Sequence, residues 1–305
     1  MRGERRRSYV LAGQPVEPPP LAAGLHLVAT PIGNLRDVTL RALEALAAAD
    51  LIACEDTRIT RRLLDHYGIA TPLTPYHEHN AAAARPKLLA RLAAGQAIAL
   101  VSDAGTPLIS DPGFKLVRAA RDAGHAVTAL PGASAALAAL SVAALPTDRF
   151  FFEGFLPAKE GQRRTRIGEI ARIPATLILY ETGPRLSRTL ADLATGLGAR
   201  DAAICRELTK LHEEVRRGGL AALAQTYADD GAETRGEIVI VVAPPAADAD
   251  QPSADDLDAL LRRALQRTSV KDAVSEVAAA TGRPRREIYQ RALALAKEAG
   301  DGAAR

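Results

Sequence analysis

The chain has 305 residues, 48% of them hydrophobic, and a formal net charge of only +3. That length suits two domains with room for a small third. No apolar run approaches the roughly 20 residues of a membrane-spanning helix, and no apolar stretch follows the N-terminal arginines, so neither a membrane partner nor a secretory signal is expected. Cys54 and Cys205 are far apart and form no CxxC. There is no disulfide framework and no zinc-site spacing, which points to the cytoplasm and to no metal.

Residues 1–22 carry charge and then Pro15-Val16-Glu17-Pro18-Pro19-Pro20. With little to bury, they are expected to be a disordered basic, proline-rich tail. Residues 25–29 form a short apolar strand pattern, broken at Thr30-Pro31-Ile32-Gly33-Asn34, and residues 39–46 read as an amphipathic helix. Strands are predicted at 51–54, 97–101 and 126–130, with helices around 60–67 and 114–123 that stop at Gly68 and Gly124. This alternation predicts an α/β domain over residues 23–145 with a largely parallel sheet.

A second α/β domain is expected over 146–243, with strands at 176–180, 202–205 and 237–242. Phe150, Phe151 and Phe152 read as core packing rather than as a surface that stacks on bases. Residues 244–254 read as a linker. Residues 255–305 hold three helical patterns, a small helix-turn-helix-like bundle suited to nucleic acid or to packing and dimerisation. Arginines cluster at Arg5-Arg6-Arg7, Arg163-Arg164-Thr165-Arg166, Arg216-Arg217 and Arg283-Pro284-Arg285-Arg286. Such groups suit phosphates, and equally suit a solvated surface.

No P-loop and no Gly-x-Gly-x-x-Gly is present, so a nucleotide-like ligand must rest on other loops. Ligands in open α/β sheets collect beyond the C-terminal ends of strands. Three loops lie there: 30–34, 102–113, and Leu130-Pro131-Gly132-Ala133-Ser134. The loop 102–113 combines Gly105 and Gly113, Pro107 and Pro112, the carboxylates Asp103 and Asp111, and the hydroxyls of Ser102, Thr106 and Ser110. Glycines let backbone approach a ligand, and carboxylates suit a cationic sulfonium with a ribose diol better than a triphosphate. Either aspartate alone is equally a turn cap, and Ser134 reads as a helix cap. Glu55-Asp56-Thr57-Arg58 opens a helix, and Tyr76-His77-Glu78-His79-Asn80 is a polar cluster whose two histidines find no third metal ligand.

In their order, these loops carry a resemblance. Thr30-Pro31-Ile32-Gly33-Asn34-Leu35, Glu55-Asp56-Thr57-Arg58, Tyr76-His77-Glu78-His79-Asn80, the loop 102–113, Pro131-Gly132, Leu145-Pro146-Thr147-Asp148-Arg149-Phe150, Glu153-Gly154-Phe155-Leu156-Pro157 and Arg206-Glu207-Leu208-Thr209-Lys210 are similar to the RsmI family. These are 16S rRNA (cytidine-2′-O)-methyltransferases of the tetrapyrrole-methylase superfamily. The resemblance spans roughly residues 25–242 and extends to the C-terminal helices. It implies a two-domain α/β tetrapyrrole-methylase-like fold with a cofactor cleft between the domains, plus a small C-terminal helical domain. It implies a homodimer that transfers the methyl group of S-adenosylmethionine to a cytidine ribose of 16S rRNA or of the 30S ribosomal subunit.

By position, the resemblance places cofactor contacts on Pro31, Ser102, Asp103, Ala104, Gly105, Thr106, Ser110, Leu130, Pro131, Gly132, Glu181 and Arg206. Asp103, Glu181 and His77 are the candidates for the base that aids loss of the hydroxyl proton. Two positions depart from the family pattern. Thr182-Gly183-Pro184-Arg185 replaces Ser-Pro-His-Arg, so that histidine is absent, and Ala133 stands where proline follows Pro-Gly. Arg283, Arg285, Arg286 and Arg291 are the expected RNA-facing surface. Two other functions remain open on the residues alone. One is methylation of a tetrapyrrole, against which the arginine clusters and helical tail stand. The other is a non-catalytic RNA-binding ribosome-assembly factor.

Overall fold

The computed structural model describes residues 7–111, 113–229, 234–246, 254–281 and 284–302. Two compact units result: one holds residues 1–168 and 175–243, the other 169–174 and 244–305. The first unit begins with a hairpin of β1 (Tyr9–Leu11) and β2 (Gln14–Val16). Five parallel strands follow: β3 (Gly24–Val28), β4 (Leu51–Cys54), β5 (Leu73–Pro75), β6 (Ala97–Val101) and β7 (Val127–Leu130), in the order β5-β4-β6-β3-β7. Between them run α1 (Leu40–Ala48), α2 (Thr57–His66), α3 (Ala81–Ala93) and α4 (Phe114–Asp122).

The central strands are short apolar runs because helices cover both faces. Along β6, Ile98 and Leu100 pack with Leu88 and Leu92 of α3 and Leu116 of α4. Ala99 and Val101 point the other way, into a core with Leu43 and Leu46 of α1 and Leu63 and Leu64 of α2. This is the two-residue period of a strand dividing its side chains between two layers.

Helix α5 (Ala135–Val142) leaves the first sheet and packs on the second, where Ala136, Ala139 and Leu140 meet Ile178, Ala203, Cys205 and Val239. The second sheet has β8 (Phe150–Phe155), β9 (Thr176–Thr182), β10 (Asp201–Arg206), β11 (Glu214–Gly219) and β12 (Glu237–Val242), in the order β11-β10-β12-β9-β8. Only β8 and β9 pair in parallel. Helices α6 (Glu160–Ile170), α7 (Gly183–Leu197) and α8 (Leu220–Asp229) alternate with these strands.

The expected disordered tail is corrected where it is described. Ala12 and Gly13 both take positive φ, the geometry of a tight hairpin turn. Tyr9 is buried in the core beside α1, Val10 N–H donates to Tyr67 O at 2.7 Å, and Arg7 reaches Asp50 at 2.6 Å. One buried aromatic and these bonds offset the ordering cost that composition alone made prohibitive. Arg5 and Arg6 lie outside the described residues.

The phenylalanine run also differs from expectation. Phe150 is 47% exposed, and Phe152 is half-buried with its ring edge-on to Tyr180. Strand β8 lies at the sheet edge, so only part of it is covered.

The second unit contains α9 (Ala254–Leu265), α10 (Val270–Thr281) and α11 (Arg285–Gly302). They bury Leu257, Leu261, Val274, Val277, Ile288 and Leu295 against one another. Arg291 is bound to Asp258 through both carboxylate oxygens. Arg283 lies outside the described residues.

Candidate active site

Backbone bonds knit the loops beyond the first sheet together. Thr30 and Gly105 each donate to the other's carbonyl at 2.9 Å, and Thr30 Oγ1 donates to Ser102 O at 3.3 Å. Thr106 Oγ1 donates to Ala133 O at 3.1 Å, joining the loop after β6 to the loop after β7. Ser134 caps α5 and also lines the space beneath, so its two readings are compatible.

These loops and the ends of β9, β10 and β12 enclose a cavity of about 350 Å³ within the first unit. One side carries Glu55, Asp103 and Asp111 with the backbone of Ala104 and Gly105. The other carries Tyr180, Glu181, Thr182 and Glu237. Ile32, Ile109, Phe155, Leu208, Ile238 and Val239 supply apolar wall. Carboxylates over an apolar floor suit a compact cationic ligand with an aromatic part.

The carboxylates differ in environment. Burial pushes the Glu55 carboxyl up, Asp103 adds to this, and His77 opposes it. Burial also raises Asp103, although its Oδ1 accepts the Asp56 N–H at 2.9 Å. Asp111 rises to about 6, from burial first, against a Ser102 hydrogen bond and with Glu55 and Asp103 adding. Glu181 is 2% exposed and held by Thr189 Oγ1 at 2.6 Å, its neighbour Thr182 N–H at 2.8 Å and Arg185 at 3.2 Å.

Of the residues expected at the site, Asp103, Ala104, Gly105, Thr106, Ser110 and Glu181 line the cavity. Pro31, Ser102, Leu130, Pro131, Gly132, Arg206 and His77 are not among its lining residues. Ser102 is buried and donates to Ala104 O at 3.2 Å, bracing the loop from behind. Gly132 sits so close to Ala29 that a Cβ would stand 2.8 Å from the alanine's own. Arg206 is turned to Glu214 at 3.0 Å. His77 opposes the rise of the Glu55 carboxyl from outside the wall. Tyr180 and Glu237 are not among the residues the sequence marks for the site, and Phe155 enters the sequence reading only within the motif at 153–157. Their one signal was position at the ends of strands.

Several arginine clusters serve the fold. Arg163 and Arg164 bind the two oxygens of Asp192, Arg166 binds Glu153 through two nitrogens, and Arg216 pairs with Glu214 and lies over Tyr227. The Gly183 departure has a steric reason: a Cβ there would stand 1.7 Å from Thr234 O.

The family model described as Tetrapyrrole (Corrin/Porphyrin) Methylases matches residues 24–224, and one described as RsmI C-terminal HTH domain matches 251–296. The chain is 53% identical to "Ribosomal RNA small subunit methyltransferase I" of Mesorhizobium japonicum, over 93% of this chain and 96% of that one. Among solved structures, diphthine synthase is 16% identical with a TM-score of 0.57, over 72% of this chain and 89% of that one. Uroporphyrin-III C-methyltransferase from Thermus thermophilus, complexed with S-adenosylhomocysteine, is 20% identical with a TM-score of 0.51, over 72% of this chain and 97% of that one.

Proposed function

The chain belongs to the tetrapyrrole methylase family, and from that premise we propose that it methylates a cytidine ribose 2′-oxygen of small-subunit ribosomal RNA with S-adenosylmethionine. The observation that carries the reading is the cavity itself. Its Glu55 and Asp103 side is complementary to a sulfonium and an ammonium, and its Ile32, Ile238 and Val239 wall to an adenine. Gly105, at φ 78°, brings bare backbone to the wall.

The residues present fit that cofactor. The loops carrying Pro31, 102–106, Ser110 and Leu130-Pro131-Gly132 would hold it from one side, and the segment around Glu181 from the other. When bound, S-adenosylmethionine would supply the methyl group, as a sulfonium whose S–CH₃ electron pair would return to sulfur as the ribose oxygen takes the methyl. The protein's contribution is to fix the two reacting groups in line, which removes much of the entropic barrier, and to exclude water from the apolar wall.

The same reading takes residues 23–145 and 146–243 as two α/β domains flanking this cleft and 255–305 as an RNA-binding accessory domain. There, Lys271, Arg285, Arg286 and the 47%-exposed Tyr289 line a groove of about 320 Å³ between α10 and α11. Cations beside an exposed aromatic suit phosphate and base together. Arg291, committed to Asp258, gives way to Lys271 in this surface. A homodimer belongs to the same proposal, and sedimentation would measure it. No helix of the described residues is long and apolar enough to cross a membrane.

The test is incubation of the purified chain with radiolabelled S-adenosylmethionine and either naked 16S rRNA or 30S subunits, followed by mapping of the label. One cytidine 2′-oxygen is the expected position. Cofactor binding without label in either RNA would overturn the substrate. Calorimetry that detects no cofactor would overturn the enzyme.

A further inference from the structure

Transfer of a methyl group to a ribose hydroxyl needs a group that receives the hydroxyl proton. Among the described residues, five carboxylates line the cavity: Glu55, Asp103, Asp111, Glu181 and Glu237. Glu181 and Glu237 are paired with cations, whereas Asp103 and Asp111 each carry a single neutral hydrogen bond, that of Asp111 from Ser102. Glu181 accepts from Thr189, Thr182 and Arg185, Asp103 accepts the Asp56 N–H, and Glu237 is paired with Lys210 at 2.9 Å. Glu55 faces the charge of His77.

Asp111 is presented by an unusual backbone. Leu108 and Ser110 both hold left-handed conformations, at φ 74° and 64°, and Gly113 sits at 140°. For residues with side chains this backbone is unfavourable and persists only where the surroundings hold it. Leu108 is enforced by packing against the core beside α3 and α4. Ser110 Oγ packs against Gly154 of β8, where a Cβ would stand 2.8 Å from it. The residue that follows this strained pair is Asp111, and it reaches the cavity wall. Strain of this kind collects at sites where a side chain must be aimed.

We propose that Asp111 is the general base of the reaction, its carboxylate receiving the proton of the ribose 2′-hydroxyl. The proposal rests on the rRNA 2′-O-methylation read above. The O–H bond breaks, its electron pair remains on the oxygen that bonds to the methyl carbon, and the proton goes to an Asp111 oxygen and then to solvent. The groups that act on Asp111 are Ser102 in its own loop, Glu55 beyond β4 and Asp103 beyond β6. From the second sheet, Tyr180 of β9 feels the Asp111 charge. Together with burial they hold the carboxyl at about 6. A base in that range is ionised at neutral pH yet accepts a proton more readily than an ordinary aspartate.

The experiment compares wild type, Asp111→Asn and Asp111→Glu in the full chain. Single-turnover methylation of 30S subunits is followed against pH, binding of S-adenosylhomocysteine is measured by calorimetry, and the carboxyl band of the free protein is titrated by infrared difference spectroscopy. Asn is expected to slow transfer about 10²–10⁴-fold and to abolish an acid limb near pH ~6, with homocysteine-adduct affinity kept within about threefold. Glu should restore part of the rate. The free wild-type protein should show a carboxyl titrating near 6 that the Asn variant lacks.

A wild type that labels the RNA while Asp111→Asn keeps pace overturns this role alone. Loss of cofactor binding in parallel with rate also overturns it, in favour of a binding role. So does the absence of the infrared titration. A wild type that labels no ribosomal RNA overturns the reaction and the role together.

Discussion

Thr30 and Gly105 exchange two backbone hydrogen bonds of 2.9 Å, and this clamp joins the loop after the first parallel strand to the loop that carries Asp103 and Asp111. Gly105 holds φ 78°, and a Cβ there would lie 3.3 Å from Ile32 Cγ2. Gly105→Ala is therefore expected to cost about 1–2 kcal/mol of stability. It should also weaken S-adenosylhomocysteine binding about tenfold, since 1.4 kcal/mol lost at the wall is one decade. Urea unfolding and calorimetry measure the two effects. Unchanged affinity in a folded variant would show that this loop is not a cofactor wall.

Glu181 lines the cavity but is held by Thr189, Thr182 and Arg185. Glu181→Ala leaves a guanidinium and a hydroxyl without their acceptor, which should cost about 3 kcal/mol. Glu181→Gln keeps the shape and part of the bonding and should cost less. Both should lose activity roughly in step with stability. If Glu181→Gln melts like wild type yet transfers methyl a hundredfold more slowly (~3 kcal/mol of transition-state stabilisation), Glu181 has a chemical role beyond its structural one.

Asp192 joins Arg163 at 2.6 Å and Arg164 at 2.8 Å, with both Arg163 and Asp192 under a tenth exposed. Burial would raise the Asp192 carboxyl, but hydrogen bonds and charge from the two guanidinium groups outweigh it and hold it below the usual value of 3.8. A depressed carboxyl contributes stability that is fully present above its unfolded value and lost as pH falls through its folded value. Asp192→Asn is thus expected to cost about 3 kcal/mol at neutral pH. The gap from wild type should close only below 3.8. Urea midpoints taken from neutral pH into acid follow this, and a gap that does not change with pH would contradict it.

The groove between α10 and α11 sets an RNA prediction. Lys271→Ala and Arg286→Ala should each weaken RNA binding and reduce the slope of log affinity against log salt by about one. Tyr289→Ala should cost about 1–3 kcal/mol of binding with little change in that slope, as lost stacking does. Arg291→Ala should instead destabilise the helical unit, because it abandons Asp258. Filter binding over a salt series and thermal melts distinguish these outcomes. Equal slopes for all four variants would remove the groove from the RNA interface.

The residues alone determined four of the first sheet's five strands and the family; β5 (Leu73–Pro75), short and only partly buried, was not legible. Ala97–Val101 and Leu51–Cys54 are buried at every position, so they appear as unbroken apolar runs. The turn residues of 102–113 mark a strand end whatever surrounds them. Strand β11, which opens on Glu214 and holds Arg216 and Arg217 in its middle, carries no such pattern and exists through its ladder to β10. The hairpin at Tyr9–Val16 rests on one buried ring and a bond to Tyr67. Tertiary structure alone decided which charged groups are free. Arg163, Arg166 and Arg291 looked like phosphate ligands in sequence and are consumed by Asp192, Glu153 and Asp258. It also separated the carboxylates, since a side chain's proton affinity depends on burial and on neighbours from distant loops. Glu55, Asp103 and Asp111 come from two strand ends, and burial first, with the charges of Glu55 and Asp103 adding to it, lifts Asp111 to about 6.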